Sequence, residues 1–352
     1  MELLVLDTNL QTVDVVDTFE SLIWTDRYDK CGDFEIYTYA SLDNINLFKD
    51  DYFLWSRDSD HVMIIEEKTI DSNVETGAHL TVTGRSLESI LERRIIWNQT
   101  ILSGSLQDGV KRLLDENVIS PADSARQIPN FIFEPSTDES IAGLTLNQQY
   151  TGDNLYDVIC HICTANNIGF RVTLNDSKQF VFKLYSGVDR SYNQLANPYV
   201  VFSPNFENIV NSNYYESKKT YKNVTLVAGE GEGTARRTLT IGDATGVERR
   251  ELYTDARDIS SDMGETTLSE TDYNNLLIER GNENLIDYQY KKAFEGQMET
   301  TQMFVYGTDF FLGDIVQIQN EYGMEARSRV IEIVKSQSND EYITYPTFSA
   351  LE

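Results

Sequence analysis

The chain has 352 residues, enough for two or three domains with substantial hydrophobic cores. Its 57 acidic residues outnumber its 29 basic residues, and the formal charge of −28 excludes a general basic surface for nucleic acid. No run approaches ~18 apolar residues, so the sequence predicts no membrane-spanning helix. The three cysteines are too few for a disulfide framework and predict folding in a reducing cytoplasm.

Residues 1–84 carry the short alternating patterns of β-strands. The first ten residues, MELLVLDTNL, lack a basic segment, so they predict an immediate strand and no signal peptide. Further strands are predicted at 12–17, 22–28, 34–39, 52–55, 62–71 and 78–84. Short strands at this spacing favour a barrel or a sandwich.

The segment SLIWTDRYDKCGDFEI, residues 21–36, predicts a hairpin with one apolar face. Apolar residues alternate with polar ones on both sides of a turn at Asp29–Gly32. We expect Trp24 and Phe34 to pack inside the first domain. Arg27, at the end of the first strand, is a candidate for a subunit boundary.

From residue 85 the apolar spacing becomes that of helices, which predicts a small α/β domain over 85–200. The predicted elements are a short helix around Leu87, a helix capped by Ser105 with Asp108, a helix from Asp153 to Asn166, and a hairpin that turns at Asn175-Asp176. The third helix contains Cys160-His161-Ile162-Cys163, which suggests zinc ligands. His161 points about 100° away from Cys160 on a helix, so ordinary packing is favoured.

Residues 201–352 return to strands and predict a second β domain with one long helix. Strands are expected at 209–219, 223–229, 236–241, 248–253, 314–319, 327–335 and 342–348. Ser269 is the predicted cap of the helix, and Gly281 weakens its predicted continuity. The glycine-rich loop Gly229–Gly233 lies between two strands and predicts a hairpin tip, because a phosphate loop would precede a helix.

One acidic loop lacks the spacing of an EF-hand, so a solvated loop is favoured over a calcium site. Its acidic residues are Asp255, Asp258, Asp262, Glu265, Glu270 and Asp272. The chain has three histidines and neither an HExxH nor a GxSxG motif. We therefore predict no catalytic, cofactor or metal site. The pair Arg93-Arg94 could bind an anion, but a domain or subunit contact is favoured.

Four landmarks resemble those of phage tail hub proteins of the siphophage type, which are similar to the N-terminal hub region of tail-associated lysins. The landmarks are the 21–36 hairpin, Gly84-Arg85-Ser86-Leu87 with the helix up to Ile96, Gly152-Asp153-Asn154-Leu155 with Asn167-Ile168-Gly169-Phe170, and Leu312-Gly313-Asp314-Ile315-Val316 with Tyr345-Pro346-Thr347-Phe348. They span almost the whole chain in order. The resemblance implies an α+β, mostly β fold, with two β-barrel-like hub domains (1–84 and 201–352) and the α/β domain (85–200) between them.

The resemblance also implies a structural, non-enzymatic protein of the virion, made in the host cytoplasm, without a cofactor. Three copies would form a ring between the tail tube or distal tail protein and the spike or fibre. Tape-measure protein and then DNA would pass through the ring, without specific binding. The suspected subunit-interface residues are Arg27, Arg93, Arg94, Tyr214 and Tyr215.

Three explanations of the acidity remain open: solubility, adaptation to a salty or calcium-rich setting, and a negative lumen along which DNA slides. Two alternative functions also remain, a virion-associated cell-wall hydrolase and a module that binds host-surface carbohydrate.

Overall fold

The computed structural model describes residues 1–75, 77–209, 211–262, 267–297, 303–338 and 341–351. The chain is 40% strand and 21% helix, which confirms the predicted α+β, mostly β class.

The strands form four sheets, one of which has 13 strands. They are β1 (Leu3–Leu6), β2 (Thr12–Val16), β3 (Ser21–Arg27), β4 (Asp33–Tyr39), β5 (Phe53–Ser56), β6 (Met63–Asn73), β7 (Gly77–Ser86), β8 (Thr100–Ser105), β9 (Phe131–Glu134), β10 (Thr145–Tyr150), β11 (Gly169–Leu174), β12 (Phe180–Tyr185), β13 (Val201–Phe202), β14 (Asn211–Ser217), β15 (Val224–Ala228), β16 (Thr238–Ile241), β17 (Glu251–Asp255), β18 (Lys291–Gln297), β19 (Ile315–Gln319), β20 (Glu325–Ser338) and β21 (Tyr342–Ala350).

The α-helices are α1 (Leu42–Leu47), α2 (Leu106–Leu114), α3 (Glu139–Ala142), α4 (Leu155–Ala165) and α5 (Glu270–Ile286). Short 3₁₀ helices cover Leu87–Arg93, Ser124–Arg126, Pro204–Phe206, Gly233–Ala235 and Gly246–Glu248, and a π-helical turn covers Asp115–Ile119.

The large sheet joins strands from both predicted hub domains. Its order is β14-β18-β21-β20-β3-β4-β7-β6-β5-β1-β2, with β19 on β20 and β13 on β19. The central pairing is β3 against β20, where Trp24 lies opposite Lys335. Within the described residues no sheet closes on itself, so the barrel-like form of the hub domains stays a prediction.

The local predictions for the first hairpin are confirmed. β3 and β4 pair antiparallel from Ser21 opposite Tyr37 to Thr25 opposite Asp33. Trp24 and Phe34 are buried, and their ring centroids lie 6.3 Å apart. The alternation of the sequence therefore assigns the inner face of the hairpin correctly, because successive side chains of a strand point to opposite faces.

The predicted helix caps are confirmed at Ser105 and Ser269, whose hydroxyls accept hydrogen bonds from the backbone N–H of Asp108 and Asp272. The predicted start of α4 is corrected by one residue. Asn154 caps this helix, and its side chain accepts from the backbone N–H groups at 156 and 157.

Several elements were absent from the sequence prediction. They are β8, β9, β10, β13, β18, α1 and α3. These segments are short or mix polar and apolar residues, so their hydrogen-bond partners rather than their own patterns make them strands. For example, β9 is the parallel partner of β12.

Candidate subunit-contact surfaces

Tyr28, which directly follows the first strand of the hairpin motif, lies where three distant stretches of the chain meet. A Cβ added at Gly169 or Gly313 would lie 2.5 Å or 2.3 Å from its ring, so both glycines are required for the ring to fit. The Tyr28 hydroxyl donates a hydrogen bond to the carbonyl of Asn167, and the Arg329 guanidinium lies 5.3 Å from the ring centroid. Three of the four landmarks thus meet around one buried ring.

Arg27 forms its contacts within the chain. Its Nε donates to the Glu332 carboxylate at 2.6 Å, and Nη1 pairs with Asp33 at 2.5 Å. Nη1 also donates to the carbonyl of Cys31. These contacts fix β3 against β20 and β4. The subunit-boundary role of Arg27 stays a prediction.

A buried ion pair reinforces the same junction. Lys335 Nζ donates to Asp26 Oδ2 at 2.8 Å, and both side chains are almost completely buried. Trp24 Nε1 and the Ser59 hydroxyl donate to the other oxygen of Asp26. Burial opposes ionisation of Asp26, but His61 and Lys335 outweigh it and hold the pKa of this carboxyl below its usual value.

His61 lies beside this pair and also faces Glu88. Its Nδ1 is 3.2 Å from the fully buried Glu88 carboxylate, which accepts the backbone N–H of Val172. Burial alone would lower the pKa of His61, but Glu88 and Asp26 outweigh it and raise this pKa to about 9. The imidazole is therefore a charged structural link between the first strands and β11.

A cavity of about 590 Å³ adjoins this cluster. Two of its three guanidinium groups are already paired, Arg171 with Asp60 and Arg190 with Asp314, each at 2.7 Å, and Arg57 also lines the cavity. The cavity thus offers balanced charge and no array of free anion-binding groups.

Arg93 and Arg94 are adjacent in sequence but have different partners. Arg93 pairs with Asp51 at 2.8 Å. Arg94 donates to the carbonyls of Arg126 and Arg93, at 2.7 Å and 2.8 Å, and forms no ion pair with a carboxylate in the described part of the chain. Burial and the positive charges of the neighbouring Arg126 and Arg93 lower the pKa of Arg94, which shows that three guanidinium groups lie close together here.

Trp97 extends this surface and was missed by the sequence prediction. Its ring is 60% exposed and stacks under the Arg126 guanidinium, 4.7 Å from the ring centroid. Ile95 beside it is 47% exposed. We call Arg94, Ile95, Trp97 and Arg126 the Arg–Trp patch. Its signal in the sequence was an apolar-aromatic run directly after two arginines.

Tyr214 and Tyr215 occupy opposite faces of β14. Tyr214 packs against the core formed by residues of the C-terminal strands and Tyr28, whereas Tyr215 is 48% exposed. Tyr215 lines a cleft of about 760 Å³ together with Tyr290 and Lys292. Of the two tyrosines, Tyr215 is the one available to a partner.

The motifs that suggested metal or phosphate sites have ordinary contacts. Cys160 and Cys163 are buried as free thiols. His161 lies on another face of α4, and its Nε2 is 3.3 Å from the carboxylate of Asp287. Gly229–Gly233 lies in the loop between the antiparallel strands β15 and β16, as predicted.

In the acidic loop, Asp255 pairs with Arg236 and Arg257, and Asp258 with Arg280. Glu265 lies outside the described residues. Among the residues described, no group of His, Cys, Asp and Glu is arranged to hold a metal ion, and no helix is long and apolar enough to cross a membrane.

The large sheet has an open face formed mainly by hydroxyl and acidic side chains. Two rows cross β20, β3, β4, β7 and β6 on this face, and they contain no lysine or arginine. The rows are Ser336, Ile23, Glu35, Thr83, Glu67 and Ser338, Ser21, Tyr37, Thr81, Thr69. We call these ten residues the polar sheet face.

The same sheet has free edges at β14 and along the part of β6 beyond Ile65, seven strand positions apart, and further edges at β2 and β13. Within the described residues β14 pairs only with β18, and β6 beyond Ile65 pairs only with β7. Free backbone N–H and C=O groups along such edges can pair with another chain.

The sequence model of the siphovirus ReqiPepy6 Gp37-like protein family matches residues 2–348. The chain belongs to this family. No curated protein matches the sequence.

Solved structures of phage tail proteins share the fold over nearly the whole chain. The tail protein from Neisseria meningitidis MC58 has a TM-score of 0.56 and 12% identity, covering 99% of this chain and 95% of that chain. The prophage tail protein gp18 from Listeria monocytogenes EGD-e has a TM-score of 0.53 and 13% identity, covering 99% and 94%. The prophage MuSo2 43 kDa tail protein from Shewanella oneidensis has a TM-score of 0.58 and 9% identity, covering 99% and 98%.

At these identities the likeness shows the fold. The predicted resemblance to phage tail proteins is confirmed by the family match and by this fold. Family and fold together support a structural role in a phage tail.

Proposed function

We propose that this chain is a hub protein of the phage tail tip, and that three copies form a ring. The ring would join the tail tube or distal tail ring to the spike or fibre, and tape-measure protein and DNA would pass through it. The divisions 1–84 and 201–352 would form the ring, with 85–200 as the domain between them. The chain would be made in the host cytoplasm before it enters the virion.

The observation that carries this proposal is that one continuous sheet has free edges at β14 and at β6. A contact between the β14 edge of one copy and the β6 edge of the next is heterologous, because two different surfaces meet. Repetition of a heterologous contact produces a closed ring when the rotation between copies allows it. The strands of both predicted hub domains would then form one wall.

The polar sheet face suits the inner surface of such a ring. Its two rows combine hydroxyl groups with Glu35 and Glu67, and DNA phosphates are repelled by carboxylates. These two rows offer no cation to hold the passing DNA, and Arg85 in the next row of β7 is paired with Glu66 and Glu92. This favours the negative-lumen explanation of the charge of −28.

Among the suspected interface residues, Arg94 and Tyr215 have the most favourable geometry for a partner. Arg27 and Arg93 already bind carboxylates of their own chain. Tryptophan, tyrosine and arginine dominate the energetics of protein contacts, and the Arg–Trp patch is held in place by its own hydrogen bonds. We therefore propose the patch as a contact surface of the assembled tail tip.

Light scattering and electron microscopy of the purified chain test the ring. We expect a mass about three times 40.2 kDa and annular particles. Antibody labelling of virions should mark the tail tip. A chain that stays monomeric at every concentration, or labelling away from the tip, would overturn the proposal. Clearing of host cell walls in a zymogram would favour the hydrolase instead, and saturable binding to host cells would favour the carbohydrate module.

A further inference from the structure

A cluster of five lysines lies at the end of the free β14 edge of this acidic protein. Lys218 and Lys219 directly follow Ser217, the last residue of β14. Lys291 and Lys292 begin β18, opposite Ser217 and Glu216. Lys222 lies close by, since its backbone N–H donates to the carbonyl of Tyr288. We call these five residues the lysine cluster.

The lysine cluster has little compensating charge of its own. No ion pair involves any of its members within the described part of the chain, although the chain has 57 acidic residues. The ammonium groups of Lys218 and Lys292 lie 5.1 Å and 5.0 Å from the centroid of the same ring, that of Tyr290. The Arg250 guanidinium adds positive charge by donating to the carbonyl of Lys218.

Two ammonium groups around one ring repel each other, and the attraction of each to the ring offsets this only in part. Carboxylates brought by a partner would remove the repulsion and gain charge-assisted hydrogen bonds. The arrangement therefore favours an acidic partner.

We propose that the lysine cluster is the positive half of a contact between two copies of this chain, and that the acidic start of the free β6 edge is the negative half. The inference rests on the proposed ring and names the charges that set its register. The exposed carboxylates at that end of β6 are Glu67, Asp50 and Asp51. Asp50 lies 3.4 Å from Lys68 and Asp51 2.8 Å from Arg93, but their side chains remain 70% and 61% exposed and can also meet a partner.

The direction of the strands brings these two regions together. Every pairing along the path from β14 to β6 is antiparallel. A second copy that continues this alternation places its β14 antiparallel to β6. The end of β14 at Ser217 then comes to the start of the free part of β6 at Glu66, and Lys218 and Lys219 face Glu67 and Asp50.

Nucleic acid is the less favoured partner. A molecule of charge −28 repels a polyanion over the range of a Debye length, about 8–10 Å in physiological salt. A carboxylate surface on a second copy meets the lysine cluster at short range through the adjoining sheet edges, where pairing and hydrogen bonding add to the attraction.

Charge reversal tests the contact. The variant Lys218→Glu/Lys219→Glu should raise the concentration at which the ring dissociates by roughly tenfold or more, since close interfacial charge pairs have coupling energies of that size. Adding Glu67→Lys/Asp50→Lys should restore assembly, because the opposite charges are re-formed in reversed positions. All four side chains are exposed, so the monomer should keep its circular dichroism spectrum.

The matched control is Lys30→Glu/Lys178→Glu, which makes the same change of net charge at an exposed and a half-buried lysine outside β14. We expect it to assemble like the wild type in sedimentation velocity. Unchanged assembly of Lys218→Glu/Lys219→Glu would overturn the inference while leaving the ring intact. A wild-type chain that never assembles would overturn both. Retention of duplex DNA by the wild type, lost in this variant without an effect on assembly, would assign the cluster to nucleic acid and overturn the inference.

Discussion

At the scale of single residues, the junction around Tyr28 explains why its neighbours are glycines. The ring is buried between Gly169 of β11 and Gly313, and its hydroxyl is bound by the carbonyl of Asn167. Side chains of the size of alanine would already overlap it. The packing of protein interiors leaves no free volume to absorb such an overlap.

Gly313→Ala should lower the free energy of unfolding by about 3 kcal/mol, from overpacking against Tyr28 and from a φ of +92° that disfavours any side chain. Urea unfolding monitored by tryptophan fluorescence measures this loss of stability. Gly323→Ala is the control, because its φ is +75° and a new Cβ meets nothing within 4 Å. It should cost only about 1–2 kcal/mol. Equal losses for both variants would contradict the role of the Tyr28 contact.

His61 predicts a dependence of stability on pH. Its pKa in the folded protein is about 9, above the ordinary 6.5, so the folded state retains a proton that the unfolded state has lost between these values. This stabilisation is complete below pH 6.5 and is lost as the pH rises through 9. It amounts to at most about 3 kcal/mol.

The measurement is urea unfolding at pH 6.5 and at pH 9.5 for the wild type and for His61→Gln. The variant should be less stable at pH 6.5, because Glu88 loses its charged neighbour. Between pH 6.5 and pH 9.5 the free energy of unfolding should fall less in the variant than in the wild type, and the difference between the two decreases is the contribution of His61. Identical pH dependence in the two proteins would show that His61 is not the group responsible.

At the scale of elements, α5 shows how tertiary packing overrides a weak local signal. Gly281 weakens the predicted helix, yet α5 runs without interruption from Glu270 to Ile286. A Cβ at Gly281 would lie 2.4 Å from Ile241 and 2.5 Å from Val227. The glycine therefore allows the helix to approach β15 and β16 closely, and the packing offsets its poor helix propensity of about 1 kcal/mol.

Gly281→Ala separates propensity from packing. Alanine is the better helix former, but overpacking against Val227 and Ile241 costs about 1–3 kcal/mol. We expect a net loss of about 1 kcal/mol in thermal or urea unfolding. Asn275→Ala, at an exposed position of α5, should stabilise the protein by a few tenths of a kcal/mol. A stabilising effect at Gly281 would contradict the close approach of helix and sheet.

At the scale of the whole molecule, one sheet unites strands from the two ends of the chain and leaves the β14 edge, the β6 edge and one polar face open. In the proposed ring, the β14 and β6 edges would join neighbouring copies and the polar sheet face would form the inner wall. Negative and positive charges would then lie in different parts of the assembly. In that ring, acidic residues would line the path of the DNA, and the lysine cluster would lie where two copies meet.

Glu35→Lys/Thr69→Lys tests the inner wall, because both positions are exposed on the polar sheet face. We expect the assembled variant to retain duplex DNA in a filter-binding assay at low salt, with binding that weakens steeply as salt is added. The wild type should not retain DNA. The same two charges placed at Val247→Lys and Leu195→Lys, exposed positions elsewhere, are the control. Equal DNA binding by both variants would contradict a special role for this face.

The amino-acid sequence by itself determined the mostly β class, the first hairpin with its buried Trp24 and Phe34, and the caps of α2 and α5. Each depends on neighbours in the chain, through alternation along a strand or a hydroxyl that binds an N–H three residues on. The order of the four landmarks also predicted a phage tail protein, which family and fold confirm.

Only the tertiary structure decided what those residues contact. It joined β3 to β20 across some 300 residues, placed Tyr28 against two distant glycines, and assigned Arg93 to Asp51 but left Arg94 beside Trp97 and Arg126. Hydrogen-bond ladders and ion pairs between distant segments produce no periodic pattern in a single sequence. The alternation of a strand shows which face is buried, but the same alternation is compatible with many different partner strands. The free edges and the lysine cluster were also decided only by the tertiary structure, because both depend on the order of the strands in the sheet.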